Sequence, residues 1–404
     1  MKTFIASTIL SFAALPLFAN DDKLTNEDFG KYSISDIPQM DCSISLHPLN
    51  KAMAAECLGF PYEWVTNLWS DGSKYIEINY KLLEEVPSYE EQTALNIKTR
   101  TSSTEKAIKF LTDKTADIIF IARDLTQAEI DYATSVGVEI LRKPICTDAL
   151  TFVINSANKV NNLSVKQIQK IYTGEISNWI EVGGEDEDII PFARIEGTAC
   201  QEAMRNIVMK DLEMITCKLQ ELSGGGGPFY GTYRYPNGIG FMTNYHFDNI
   251  APNNFNPKEI SINNVLADKN TIADGTAPFL MTSYVAIRAD LDASSLAYKI
   301  YEYITTDEGK ELLSKLGYTP TTEVTSIPKI QEETVSINYH DGIITTTSNQ
   351  AISAVRITDL SGKVVLCKTL HAESINTKGI PTGGYIVSIT LEDGNVYSEK
   401  IILQ

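Results

Sequence analysis

The fold class this chain predicts is an α/β body followed by a small all-β sandwich, and three observations carry it. From about Asp28 to Tyr318, helix-period apolar stripes alternate with short β-branched runs, the pattern of α/β domains built on parallel sheets. Near Thr321 that pattern gives way to a Thr-rich, Pro-containing linker reaching Pro328, and beyond it strand-like runs alternate with turn signals and no helix. The chain has 404 residues, 43% hydrophobic and 21% charged, enough for two packed domains and too apolar for a disordered polymer.

In chain order, Met1-Lys2-Thr3 gives a short positive start, Phe4 to Phe18 runs apolar, and Leu17-Phe18-Ala19 offers a small-residue cleavage site before Asn20-Asp21-Asp22. This reads as a secretory signal peptide over 1–19, because the apolar run falls short of the roughly 18 to 20 residues that span a bilayer and Pro16 breaks it. Next, Ala107, Ile108 and Leu111 mark the buried face of a helix that leads into a buried strand, Ala116 to Ala122, and Leu150 to Asn155 reads as another strand. Between Asn162 and Trp179, Ser164 and Gln167 have capping-box spacing, Val165, Ile168 and Ile171 form an apolar stripe, and Gly174 suits a left-handed helix stop. Glu185 to Asp188 lacks the glycine-punctuated ligands of a calcium loop and reads as a solvated turn. Ser223 to Pro228 is a glycine run without the lysine of a phosphate loop; it reads as a flexible connection that precedes no strongly helical segment. In the tail, strands are expected at 335–337, 352–357, 364–366, 385–389 and 400–403. They are separated by Ser361-Gly362, Thr382-Gly383-Gly384 and Asp393-Gly394-Asn395.

The formal net charge is −18, and from Val335 onward there are only six acids against five bases, so the acidic excess belongs to the body. That argues against nucleic acid or anionic lipid as a partner, since phosphate backbones need a basic face. Any anion held by this body must be held by local geometry against an unfavourable field. Six cysteines (42, 57, 146, 200, 217 and 367) include no Cys-x-x-Cys, and Cys42 with Cys57 is open to two readings, one bridge or two buried thiols. Four scattered histidines and the absence of Gly-x-Ser-x-Gly or His-Glu-x-x-His weigh against a hydrolase or metalloenzyme, and no cofactor is expected.

The chemistry concentrates at Ile189 to Gln201, which reads as a strand, a loop and a helix start with buried face Ala203, Met204, Ile207 and Val208. Thr198 with Gln201 has capping-box spacing, so backbone N–H groups and the helix dipole would point where an anion would sit, and Arg194 supplies a bidentate fork. Ser102 and Glu105 repeat that spacing ahead of the earlier apolar stripe. Asp124 reads either as a cleft carboxylate or as a cap for the helix after it.

At these residues the sequence resembles the phosphate-binding proteins of ABC-transporter systems, a branch of the type II periplasmic binding proteins. The resemblance runs from about Asp71 to Pro320 and is carried by Ala116-Asp117-Ile118-Ile119, Ile171 to Trp179, Val182-Gly183-Gly184, Arg194 to Thr198, Gly238-Ile239-Gly240-Phe241 and Gly317-Tyr318-Thr319-Pro320. It implies a two-lobed periplasmic-binding-protein fold closing on inorganic phosphate or a similar oxyanion. Lobe 1 would take about 28–145 and 250–320, and lobe 2 about 146–249. By position it implies Arg194, Gly197, Thr198, Ala199 and Cys200 as the anion loop, Ser103 or Thr104 as the opposing hydroxyl, Asp124 as the cleft aspartate with Glu196 as second acceptor, and Ser73 in the first loop. Ala199 and Cys200 depart from the family's glycine followed by Ser or Thr, and a thiol is a weaker donor than a hydroxyl. A carboxylate acceptor favours a protonated anion, so phosphate over sulfate.

The tail, 329–404, resembles the type IX secretion C-terminal sorting domain of Bacteroidetes at Ile357 to Val365, Ile380 to Val387 and Lys400 to Leu403. It implies export beyond the outer membrane through the type IX machinery, to the surface or medium, with the periplasm the destination if the tail is unused. The expected product is a monomeric, non-enzymatic anion binder, with an ABC permease as possible partner. The other reading is a surface interaction protein that keeps the fold and has lost or changed its ligand.

Overall fold

The computed structural model describes residues 23–66, 73–219, 227–250, 255 and 257–321, and in the tail 336–340, 342–347, 352–359, 363–369, 374–391 and 396–403. The expected signal peptide, Asp71-Gly72, the glycines 224–226 and the linker lie outside these. Two compact units form, one of Met1–Asn161, Gln169–Ser261 and Val265–Thr321, the other of Asn162–Ile168, Ile262–Asn264 and Thr322–Gln404.

Lobe 1 starts with β1 (Met40–Cys42) and α1 (His47–Leu58), which buries Leu49, Ala52, Met53 and Ala55 and stops at left-handed Gly59, φ 66°. Gly59 must be glycine, since a Cβ there would come within 2.8 Å of the Gly30 α-carbon. β2 (Tyr62–Thr66) and β3 (Lys74–Ile78) form a separate two-stranded hairpin. α2 (Tyr89–Lys98) and α3 (Thr104–Thr112) precede β4 (Ile118–Ile121), which is buried along its whole length and parallel to β1, as expected of an all-apolar run. α3 buries Ala107, Ile108 and Leu111 as the periodicity predicts, but its cap is Ser103, whose hydroxyl accepts from Lys106 N. Ser102, expected to cap it, donates instead to Asp41.

α4 (Gln127–Ser135) leads to β5 (Ile140–Asn155), a 16-residue strand that ties the lobes together. In lobe 2 follow β6 (Asn162–Leu163), α5 (Val165–Thr173), β7 (Ile190–Ala193), α6 (Ala199–Ala203), β8 (Lys218–Leu219), α7 (Gly227–Arg234) and β9 (Gly238–Thr243). β10 (Pro257–Ile262), expected with lobe 1 as part of 250–320, pairs with residues 152–155 of β5 and so sits with lobe 2. The Ser164–Gln167 capping box forms, with bonds of 2.8 and 3.1 Å, and Gly174 takes φ +81° after the helix. The glycine run does precede a helix, contrary to expectation: α7 buries Phe229 and Thr232, and its packing rather than its propensity makes it helical. Buried Phe152, Tyr172, Phe192 and Phe241 fill the lobe 2 core, and Trp179 is buried with its indole N–H donating to Asn237 O at 2.8 Å. The Asn178-Trp179 stretch is therefore architecture rather than ligand contact.

The chain returns through α8 (Lys269–Ala273), β11 (Leu280–Arg288), α9 (Leu296–Tyr303), α10 (Asp307–Lys315) and β12 (Thr319–Pro320). β11 pairs with β4 and with residues 140–149 of β5, while β9 and β10 pair with residues 150–155 of β5, so one strand serves both lobes. Cys42 and Cys57 are buried free thiols rather than a bridge.

The tail folds as β13 (Ser336–His340), β14 (Ile343–Thr347), β15 (Ile352–Asp359), β16 (Val364–Thr369), β17 (Ser374–Asn376), β18 (Gly383–Leu391) and β19 (Val396–Leu403). These form sheets of order β13-β14-β17 and β16-β15-β18-β19 around Ile344, Val355, Ile357, Ile375, Val387 and Ile389, the expected sandwich with two more strands than the sequence marked.

Candidate anion-binding cleft

On the lobe 1 side, three chain segments meet where β1 and β4 end. Ser43, the residue after β1, is buried; its N–H donates to Phe120 O at 2.8 Å and its hydroxyl accepts from Ala122 N at 3.1 Å. The same hydroxyl shares a 2.7 Å bond with Thr104, the buried first residue of α3. Beneath them the buried Asp41 carboxylate accepts from Cys42 N at 2.7 Å and Ser102 at 3.1 Å, which fixes the turn into α3. Burial raises that carboxyl above its usual range against these bonds.

On the lobe 2 side, β7 ends at Ala193 and the next residue is Arg194, half-buried, with its N–H donating to Gln201 Oε1 at 2.9 Å. Burial lowers the Arg194 pKa from its ordinary value, with Cys200 working weakly in the other direction. Gln201 is therefore used by Arg194 and does not complete the expected box with Thr198, whose hydroxyl donates back to Ile195 O at 2.7 Å. Thr198 still occupies the N-cap in backbone terms, φ −86° and ψ 144°, but no side chain caps α6. Cys200 is buried, and its thiol is pushed up to about 11 by that burial, with Arg194 pulling it down and Asp148 pushing it up. It is a neutral S–H at physiological pH.

The two sides touch at Gly197. Its φ is +76°, and a Cβ there would sit 2.8 Å from Glu105 Oε2 in the first turn of α3. The carboxylates nominated from sequence are both engaged: Asp124 pairs with Arg142 and also accepts from Leu125 N at 2.7 Å, and Glu196 pairs with Arg205. Asp124 does not cap α4, because Thr126 and Glu129 form that box. Asp124 instead borders an interlobe cavity of 210 Å³, with Ala122 and Arg123 on its own side and Ala199, Glu202 and Asn206 opposite.

At the crossover, Asp148 of β5 accepts from Ala149 N at 2.8 Å and Tyr245 N at 3.1 Å, and burial pushes it up to about 6. It lines a second cavity, of 140 Å³, with Ser45, Cys146, Asn244 and Tyr318. Tyr245 and Tyr318 stack with ring centres 4.0 Å apart, and the Tyr318 hydroxyl donates to Ser45 O at 2.8 Å, binding the start of α1 to the chain's return.

Of the residues expected at the site, Ser103 and Thr104 open α3 and Arg194 to Cys200 lead into α6; the two segments approach each other at Gly197 and Glu105, and Ala199 lines the 210 Å³ cavity. Ser73 precedes the second strand of the separate hairpin, and the hydroxyl that follows the first parallel strand is Ser43's. Sequence reasoning missed Ser43 because β1 is three residues long with a buried aspartate at its centre, so no apolar run announces it. Among the described residues no group of three or more His, Cys, Asp or Glu is arranged to hold a metal ion, and no helix is long and apolar enough to cross a membrane.

Two α/β lobes sharing a crossover strand and facing each other through helix starts define a bilobal binding protein. A model of the PBP superfamily domain matches residues 72–394, and the chain belongs to that family. It is similar to the phosphate-binding protein PstS of Borreliella burgdorferi, 23% identical over 217 residues, which are 52% of this chain and 75% of that one. It is also similar to phosphate-binding protein PstS 2 of Streptococcus agalactiae, 33% identical over 88 residues, 22% of this chain and 28% of the other. Its fold is shared with a putative phosphate ABC transporter substrate-binding protein from Clostridium perfringens solved with bound phosphate. The TM-score is 0.52 at 18% identity, covering 70% of this chain and 98% of that one.

Proposed function

We propose that this protein is an exported substrate-binding protein that captures inorganic phosphate between its lobes by binding rather than catalysis. The observation that carries the reading is the approach of the Arg194–Cys200 loop to the start of α3, with Gly197 against Glu105 and the Ser43–Thr104 hydroxyl pair beside it. An oxyanion there would take charge-assisted bonds from Arg194, backbone N–H groups of the loop and hydroxyls of the opposite lobe. The phosphate-binding relatives support the ligand assignment. Asp124, at the rim beside Ala199, is the proposed acceptor for the proton of the ligand, which would favour phosphate over fully ionised sulfate.

Delivery to an ABC permease follows from the same reading. The 1–19 leader, the tail as a type IX sorting domain and surface display are proposals of the sequence resemblance, as are a monomeric state and a separately removable 329–404. Calorimetric titration of the mature chain with phosphate, sulfate and arsenate tests the function: saturable 1:1 binding of phosphate and arsenate with weak sulfate is expected, and no heat with any of them would leave only the fold. Removing the segment after Pro328 should leave phosphate binding intact and change location alone. Equal surface display of both chains in the native host would refute the sorting role.

A further inference from the structure

Arg123, two residues past the end of β4, has its guanidinium held from two sides. Nη1 and Nη2 donate to Glu129 of α4 at 2.8 and 2.9 Å, within lobe 1, while Nε and Nη2 donate to the Glu202 carboxylate of α6, in lobe 2. The three side chains are only 16%, 15% and 21% exposed, so salt screens them less than a surface pair. Glu129 is itself fixed by Thr126, whose N–H and hydroxyl donate to it at 2.7 and 2.9 Å. Arg123 therefore travels with lobe 1 in a set orientation, and parting the lobes breaks its bond to Glu202 alone. Along this edge the lobes otherwise face each other across the 210 Å³ cavity, past the small side chains of Ala122, Ala199 and Ala203.

We infer that the Arg123–Glu202 ion pair is an interlobe latch, a pair of positioning residues that sets the fraction of protein with closed lobes and through it the apparent affinity for the anion. A ligand that needs the closed form binds with an apparent affinity reduced by the fraction of protein closed, so loss of the latch weakens binding without removing any ligand contact. The alternative partners facing Arg123 all lie on its own lobe: Glu129, and the Asp124 carbonyl, which accepts from Nη1 at 2.8 Å. None of them can substitute for Glu202 across the cleft.

The affinity part of this inference rests on the anion-binding reading; the closure part does not. The test is small-angle scattering of the full chain without and with inorganic phosphate, paired with calorimetric titration, for wild type, Glu202→Gln, Glu202→Asp and the charge-matched control Asp113→Asn. Asp113 belongs to an ion pair with Lys109 inside lobe 1. Phosphate-free Glu202→Gln should have a larger radius of gyration than wild type and Asp113→Asn, with Glu202→Asp between them, and phosphate should return it to the wild-type value. Its phosphate affinity should fall about tenfold, equivalent to about 1.4 kcal/mol. A residue that merely stabilised α6 would not change the radius reversibly with ligand. Equal radii in wild type and both Glu202 variants would overturn the latch, as would an Asp113→Asn protein that opens equally. Wild-type protein that binds no phosphate would refute the anion reading and leave the radius to decide the latch.

Discussion

The two helix starts that face the cleft are built in opposite ways. α3 is capped within its own lobe: Ser103 accepts from Lys106 N, Thr104 bonds Ser43, and Asp41 holds the turn from below. α6 begins after a loop in which no side chain caps the helix, Thr198 bonds backward to Ile195 and Gln201 serves Arg194; five residues on, the helix widens into a π-type turn, Met204–Met209. First-turn N–H groups need partners from side chains, water or ligand. The α3 start is thus closed by side chains of its own lobe while α6 begins without a side-chain cap, so substitutions on the two sides should separate stability from binding.

The largest effect is expected at the base of the lobe 2 loop. Arg194→Ala should weaken phosphate binding at least a hundredfold, because charge-assisted bonds contribute about 1.5 to 3 kcal/mol each. Ser103→Ala should instead cost about 1 kcal/mol of folding stability and leave affinity within a few fold, as read by denaturant melts and calorimetry. Equal affinity losses in the two variants would abolish the distinction between the sides.

Gly197→Ala comes next. Its left-handed φ strains any L side chain, by roughly 1 kcal/mol, and the added methyl meets Glu105 Oε2 at 2.8 Å. Affinity should drop about tenfold, and adding Glu105→Ala should recover only the part that is contact rather than backbone strain. Full recovery would show that the loop tolerates the conformation.

Smaller effects sharpen the picture of lobe 2. Cys200→Ser should raise phosphate affinity a few fold, since a hydroxyl is the better donor. With its thiol pushed up to about 11, Cys200 should contribute no ionisation step to the affinity between pH 6 and 8. Glu259 of β10 is pushed up to about 7, chiefly by burial, with a bond from Thr151 opposing and the charges of Asp248 and Asp268 adding to the rise. A carboxyl whose folded pKa lies above the unfolded value near 4.3 favours the fold below that value and loses this contribution as pH rises toward 7. Glu259→Gln should therefore melt a few degrees higher relative to wild type at pH 8 than at pH 5, and a pH-independent difference would contradict the burial assigned to it.

Much of the fold could be read because the relevant segments carry their own local signals. The α3 stripe, the Ser164–Gln167 box, the buried β4 run and the tail's alternation each rest on spacing within about ten residues. What escaped depends on partners distant in sequence. Ser102 lost the cap to Ser103 because Asp41, 61 residues away, takes its hydroxyl. Gln201 left Thr198 for the backbone of Arg194, a loop geometry that capping-box spacing cannot reveal. Ser43 and Arg123 follow the ends of β1 and β4, and only the pairing of those strands makes them neighbours of the cleft. In the tail, the paired strands β14 and β17 escaped, and the left-handed φ of +76° at Gly342 marks the turn that returns β13 into β14.

On the proposed function, the lobe 2 loop and the α3 start hold one oxyanion between them. Crystals of the mature protein grown with arsenate, an anomalous scatterer shaped like phosphate, test it most directly. A single arsenic peak is expected within hydrogen-bond reach of Arg194, the backbone of 197–200 and the Ser43 or Thr104 hydroxyl. An arsenic peak beside Asp148 in the crossover cavity, or one contacting a single lobe only, would contradict it.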